Sequence, residues 1–366
     1  MKIVADENMP LIEECFSEYG EIKRLAGRSI QPEDVVDADV LLVRSVTLVN
    51  EALLKGSKVK FVGTATIGTD HLDKKYMDAA GVCWRSAPGC NADSVAEYDV
   101  SILAYLSKME KVNLSTLKVG VVGCGNVGSR VIKRLDALGL NYCVYDPPKA
   151  EREVNFHSCS LAELTECDLF CFHAPLTYEG SCPSFHMIDY SFFKSIKKEF
   201  YVISAGRGPV IDFSALKECD LTKFFLDVWE PEPDIPQSVL KSVKGATPHV
   251  AGYSIQSKWR GSLMIYDEAC KYFNWQKKDV SFPETPPERS LKGVRSWEEA
   301  VLNLYDPLED TKRTKGALLD NENVSDAFDK LRKQYPLRHE FSFPKFTDAS
   351  MPDGDQAILR KLGFNL

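Results

Sequence analysis

Short apolar runs alternate with helix-period stretches through the first ninety residues. Runs at 2–5, 40–44, 60–63 and 81–85 are rich in β-branched residues and bounded by turn residues, which predicts strands. Helical pieces are predicted between them over 9–19 and 51–54. Such alternation implies parallel strands joined by crossover helices. A longer helical pattern over 93–108 follows the turn residues Ala87-Pro88-Gly89-Cys90-Asn91. A second alternating series predicts strands at 118–122, 142–145, 169–172, 201–204 and 224–227, with a helix over 127–138. After Gly252 the pattern changes: a helix is predicted over 258–273, then the charged, Pro-rich stretch from Phe282 to Glu288 reads as a linker. The residues beyond it mix helix and strand signals and carry no chemical motif.

Two alternating series make an α/β protein, and 366 residues exceed one hydrophobic core, so more than one domain is expected. Apolar residues at 44% and charged residues at 27% are ordinary for a globular chain. A net charge of −8 argues against a nucleic-acid binder, whose footprint is a basic patch. The opening MKIVADENMP is not a secretory signal, and no run approaches the ~18 apolar residues of a membrane span, so a cytoplasmic protein without membrane attachment is expected. Eleven cysteines occur without a Cys-x-x-Cys pair, so neither a disulfide framework nor a metal site is expected.

The predicted strand at 118–122 runs into Gly123-Cys124-Gly125-Asn126-Val127-Gly128, a G-x-G-x-x-G that opens a helix. Gly123 suits a tight turn, Gly125 a close approach of backbone to a pyrophosphate, and Gly128 close packing of the helix. With Asn126 and Val127, the turn would present free N–H groups at a helix N-terminus to the phosphates. Asp146 ends the next predicted strand, eighteen residues after Gly128, where an acid binds ribose hydroxyls. A carboxylate there repels a 2′-phosphate and favours NAD over NADP, although Lys149 and Arg152 follow closely.

Hydride removal from a hydroxy acid needs a cation for the carboxylate, a base for the hydroxyl proton, and an acid that orients the base. Arg207, Glu232 and His249 follow successive strand signals of the second series, where catalytic groups of such sheets lie. Arginine binds carboxylate through its planar fork, and histidine exchanges protons near neutrality. Taken singly, each also reads as an ordinary turn residue. His71, His157, His173, His186 and His339 lack this context, although His173 adjoins Ala174-Pro175-Leu176.

The glycine fingerprint, the Arg207-Gly208 turn, Glu232 in its Pro-rich segment and Thr247-Pro248-His249 resemble the D-isomer-specific 2-hydroxyacid dehydrogenase family, in the family's order. Ser204, Ala174, Gln256 and Ser257 depart from its usual residues without removing a catalytic group. The resemblance implies two Rossmann-like, doubly wound parallel-sheet domains: a substrate-binding domain of residues 1–92 and 258–280 and an NAD-binding domain of residues 93–257. It implies Arg207, Glu232 and His249 as catalytic, with His249 the proton donor and acceptor. Asp146, Ala205, Gly206, Arg207, Asp227 and Gly252 would contact NAD. The segments Lys2–Pro10, Val43–Thr47, Phe61–His71 and His249–Ser254 are similar to a branch of the family that acts on a small phosphorylated 2-hydroxy acid. That branch implies Ser45, Thr66 and Tyr253 as substrate contacts. It also implies that residues 281–366 form a small α+β dimerisation domain of a homodimer. Alternatives are another dehydrogenase of the family, such as a phosphoglycerate dehydrogenase, or a nucleotide-sensing binding protein.

Overall fold

The apolar runs of the first series form parallel strands β1 (Lys2–Asp6), β3 (Val40–Val43), β4 (Phe61–Thr64) and β5 (Cys83–Ser86). A fifth strand, β2 (Glu21–Leu25), completes the sheet order β2-β1-β3-β4-β5. Its sequence, EIKRL, carries no apolar run, because as an edge strand beside β1 it stays half solvated. The expected helix over 9–19 is confined to Ile12–Phe16, since Leu11 takes a left-handed φ of 63° just before it. The computed structural model describes residues 1–366. By internal contacts the chain divides into two compact units: Met1–Asn91 with Ser254–Thr285, and Ala92–Tyr253 with Pro286–Leu366.

Helix Ile255–Phe273 belongs to the first unit and starts three residues before the sequence expectation. The Ser254 side chain caps it by accepting the Ser257 N–H. It lies so close to β4 that a Cβ on Gly63 would come within 2.3 Å of Ile265.

The second unit holds six strands: β6 (Lys118–Val122), β7 (Asn141–Tyr145), β8 (Leu169–Phe172), β9 (Tyr201–Ser204), β10 (Phe224–Leu226) and β11 (Gly245–Ala246). All neighbours are parallel, in the order β11-β10-β9-β8-β6-β7. The two-residue β11 gives no strand signal in the sequence; Gly245 pairs with Phe225 where a Cβ would meet that ring at 2.5 Å. Helix Ala92–Lys108 buries thirteen of its residues, which is why its apolar pattern wraps round the helix. In both sheets the first strand has its successor on one side and the rest on the other. This switch point lies at β1/β3 in the first unit and β6/β8 in the second, the places where such sheets bind ligands.

Residues beyond 285 form helices Trp297–Leu304, Pro307–Leu318, Val324–Lys333 and Asp353–Leu362 and a parallel pair, β12 (Glu288–Ser290) with β13 (Lys345–Thr347). Val301 and Leu359 join the core that contains Val119 and Val121 of β6. Leu318 and Phe328 join the core that contains Phe170 and Phe172 of β8. The segment is thus α+β in content, and its apolar residues complete the cores of the second unit.

Candidate active site

The fingerprint turn leaves β6 at the second unit's switch point. Gly123 has φ 89°, and a Cβ there would lie 2.7 Å from Ala174 backbone, so glycine is required twice over. A Cβ on Gly128 would fall 2.0 Å from the Gly123 carbonyl oxygen and 3.5 Å from Val121 of β6, so its absence seats helix Asn126–Leu138 on the turn and the strand. Gly125 differs, because nothing lies within 4 Å of where its Cβ would be. It is the N-cap and offers no side-chain acceptor, so the first N–H groups of the helix, on Asn126, Val127 and Gly128, are available to an external anion. An open cradle, free donors and the positive end of a helix dipole fit a pyrophosphate.

Asp146 follows β7 next to this turn. Its carboxylate accepts the Cys124 N–H at 2.7 Å and the Lys149 N–H at 3.0 Å, so it ties the turn to β7 and caps helix Pro147–Arg152. Lys149 Nζ donates to the Cys124 carbonyl at 3.2 Å.

Arg207, Glu232 and His249 lie in the loops that leave β9, β10 and β11, three neighbours in the sheet. Adjacent strands are about 4.8 Å apart, so these exits are close together on one edge. Arg207 donates from Nη1 to the Gly206 carbonyl at 2.9 Å. Its turn is pressed on the β10 loop: a Cβ on Gly208 would lie 1.8 Å from the Trp229 carbonyl oxygen. Ala205 and Gly206 stand over the exit of β8, where a Cβ on Gly206 would lie 3.0 Å from the Ala174 carbonyl oxygen.

One oxygen of Glu232 accepts the Trp229 N–H and the other lies 2.9 Å from His249 Nδ1. Burial works to raise the Glu232 pKa, but His249, the Trp229 amide and Arg332 outweigh it and hold the carboxyl below its usual range. A carboxylate only accepts, so His249 donates from Nδ1 and keeps Nε2 as the proton acceptor. The two side chains are 32% and 25% exposed, enough to meet a substrate.

Asp227, at the end of β10, fixes the loop from beneath. It is 1% exposed, and its carboxylate accepts from Thr247 Oγ1 at 2.6 Å and from the Val250 and Ala251 N–H groups at 2.7 and 3.0 Å. Its carbonyl accepts the His249 N–H at 2.8 Å, which secures that residue at a left-handed φ of 57°. Such a conformation in a residue with a Cβ costs about 1 kcal/mol or more and persists only where surroundings hold it. Asp227 therefore secures the loop that carries His249. Gly252 and Tyr253 close the loop, with the Tyr253 N–H donating to the Val250 carbonyl at 2.8 Å.

In the first unit, Ser45 is exposed just after β3, at that sheet's switch point. Beside it, Arg44 Nε lies 3.2 Å from Oδ2 of the fully buried Asp6. Thr66 follows β4; its hydroxyl donates to the Gly68 carbonyl at 2.9 Å and lies 2.8 Å from the Thr64 hydroxyl.

Two further histidines have carboxylate partners that the sequence did not disclose. His173 Nε2 lies 2.7 Å from Asp99, both side chains being sealed at 0% and 1% exposure. His186 Nε2 lies 2.7 Å from Glu230, so Glu230 and Glu232 each pair with a histidine. His186 stands in the long connection after β8 and not at a strand exit. Two groups, Asp99–Cys171–His173 and His186–Asp212–Glu230, each bring three potential ligand atoms within 4.8 Å, proximities that no local spacing announces.

Residues 94–251 match the family profile described as D-isomer specific 2-hydroxyacid dehydrogenase, NAD binding domain, and NAD is accordingly the dinucleotide. The chain is 42% identical over 382 residues to the erythronate-4-phosphate dehydrogenase of Marinobacter nauticus, covering 100% of both. It is 39% identical over 365 residues to that of Coxiella burnetii, covering 99% of this chain and 98% of the relative. Among solved structures, NAD-bound 3-phosphoglycerate dehydrogenase from Entamoeba histolytica shares the fold with TM-score 0.63 at 24% identity, over 77% of this chain and 99% of that one. D-lactate dehydrogenase from Aquifex aeolicus, complexed with NAD and lactic acid, does so with TM-score 0.62 at 23% identity, over 75% and 96%. By its whole-length likeness to these relatives, the chain belongs to the D-isomer specific 2-hydroxyacid dehydrogenase family, in the branch of the erythronate-4-phosphate dehydrogenases.

Proposed function

We propose that the chain oxidises the C2 hydroxyl of 4-phospho-D-erythronate with NAD, giving (R)-3-hydroxy-2-oxo-4-phosphooxybutanoate. The observation that carries this reading is the His249–Glu232 pair, with Nδ1 fixed on a carboxylate and Nε2 left to accept a proton. NAD, when bound, supplies the two-electron acceptor. Arg207 would bind the substrate carboxylate through its guanidinium fork and polarise the C2 oxygen. His249 Nε2 would take the hydroxyl proton as C2 is oxidised, and Glu232 would stabilise the imidazolium. Gly123, Gly125, Asn126, Val127 and Gly128 would cradle the pyrophosphate and Asp146 the ribose. Ala205, Gly206, Arg207, Asp227 and Gly252 would complete the NAD contacts. Ser45, Thr66 and Tyr253 are proposed substrate contacts, and hydroxyls in such loops suit a phosphate.

The resemblance further supports a cytoplasmic homodimer that serves pyridoxal 5′-phosphate (vitamin B6) synthesis. Residues 1–92 and 258–280 would bind substrate, residues 93–257 NAD, and residues 281–366 the second subunit. No helix is long and apolar enough to cross a membrane. A panel of phosphorylated and plain 2-hydroxy acids with NAD, followed by absorbance of the reduced nicotinamide, tests the reading. Preferred turnover of 4-phosphoerythronate supports it. Preference for 3-phosphoglycerate would reassign the substrate, and NADH binding with no turnover would turn the reading to a nucleotide sensor.

A further inference from the structure

The loop from Thr247 to Tyr253 is held by more than Asp227. Residues far along the chain reach the same loop. Arg338 donates from Nη1 to the Ala251 carbonyl at 2.9 Å and from Nη2 to the Ser94 carbonyl at 2.7 Å, with its guanidinium 3.6 Å over the Tyr305 ring. Next to it, Tyr253 is enclosed by two side chains of the same segment. The Tyr335 ring meets it edge-on at 5.8 Å and 85°, and the Arg332 guanidinium lies 5.5 Å from the centre of its ring. Tyr335 is itself fixed, donating to Asp310 Oδ2 at 2.7 Å, and the same oxygen accepts from Tyr305 at 3.1 Å.

Arg332 differs from these structural contacts. It sits in the last turn of helix Val324–Lys333, with its guanidinium also 5.8 Å from the Phe328 ring. Its Nε is buried and has no hydrogen-bond partner. An unmade buried donor costs about 1–3 kcal/mol, and an apolar side chain of similar length would avoid that penalty. What the cation contributes lies at Tyr253, where the guanidinium stands 5.5 Å from the ring centre and a hydrogen bond joins it to the hydroxyl; its charge also helps hold the Glu232 carboxyl below its usual range. A cation over an aromatic face also fixes the plane of that ring.

We propose that Arg332 is a positioning residue of the active site, which orients the Tyr253 ring from the C-terminal segment. This rests on the roles assigned above to Tyr253, Glu232 and His249. The last eighty residues are then a working part of the site as well as a candidate pairing surface.

The test is steady-state kinetics of full-length wild type, R332M and R332K with 4-phosphoerythronate and NAD, alongside NADH titration and thermal midpoints. R332M is expected to lower kcat/KM for the hydroxy acid by about tenfold or more, with KM for NAD and the midpoint little changed. R332K keeps the charge and is expected to recover most of the loss, although it lacks the flat fork. Arg332→Gln replaces R332M if that variant does not fold. An unchanged kcat/KM in the uncharged variant would overturn the inference, as would a loss shared equally with NAD affinity and the thermal midpoint. Wild type without turnover of this substrate would overturn the substrate assignment and the inference together; an active wild type with an unaffected variant overturns the inference alone.

Discussion

His249 Nδ1 lies 2.9 Å from one oxygen of Glu232, while the other oxygen of that carboxylate accepts the Trp229 N–H at 2.9 Å. The carboxylate is thus fixed from the backbone before it orients the ring. Because His249 also hangs by its N–H from the Asp227 carbonyl, ring and main chain are both determined. Preorganisation of this kind is what a general base requires.

Replacing the base tests the role directly. His249→Ala is expected to lower kcat by about two to four orders of magnitude while NADH affinity stays near wild type. His186, paired with Glu230 in the same Pro-rich turn, is the matched control. His186→Ala is expected to retain turnover. Steady-state rates and fluorescence titration of NADH check both, and the opposite ranking would move the base to His186.

Two of the three glycines of the turn are predicted to fail differently. Gly128→Ala would drive its Cβ into the Gly123 carbonyl, so the thermal midpoint is expected to fall. Gly125→Ala meets no protein atom within 4 Å and should fold normally. Its defect should appear as weaker NAD binding by about tenfold or more, because the Cβ occupies space the pyrophosphate needs. Calorimetry of the two apo variants beside NADH titration separates these outcomes.

Asp146 combines two tasks that a single substitution can divide. Asp146→Asn keeps a side-chain oxygen for the Lys149 N–H, so the helix cap survives, but its NH2 would face the Cys124 N–H and the tie to the turn is lost. It removes the charge that repels a 2′-phosphate. The ratio of kcat/KM for NAD over NADP is expected to fall by about tenfold, and the lost Cys124 hydrogen bond to lower the thermal midpoint. An unchanged ratio would show that selectivity lies elsewhere.

The pH dependence of stability has a marker in Glu97. Burial first, then the charge of Glu340, raises its pKa well above the usual carboxylate range. Its Oε1 accepts the Phe341 N–H, so it stands where the C-terminal segment packs on helix Ala92–Lys108. The folded chain keeps a proton that the unfolded chain releases at about 4.3. The stability this confers is complete below that unfolded value and is lost as pH rises through the raised folded one. Glu97→Gln stays neutral and keeps an acceptor, so its thermal midpoint should fall less than that of wild type from mildly acidic to alkaline pH. Parallel profiles for the two proteins would mean that Glu97 is already ionised when folded.

What the sequence determined was local. The strand before Gly123, the fingerprint and Asp146 lie within one βαβ unit, and each residue's reason is steric or electrostatic over a few neighbours. The order Arg207, Glu232, His249 was legible for the same reason: each follows a strand signal, and parallel strands present their exits on one edge. Strands β2 and β11 were not legible, because one is a polar edge and the other is two residues long, and both are strands through pairing alone.

Tertiary structure decided which distant groups meet. The His173–Asp99 pair spans 74 residues of chain and Arg338 reaches Ala251 across 87, and no periodicity records either. Residues 286–366 carry no motif, yet they fill the cores of the second unit and enclose Tyr253. Periodicity and turn chemistry act over about ten residues, whereas burial and electrostatic pairing act through space, so only the folded chain shows that the Arg332 guanidinium stands over the Tyr253 ring.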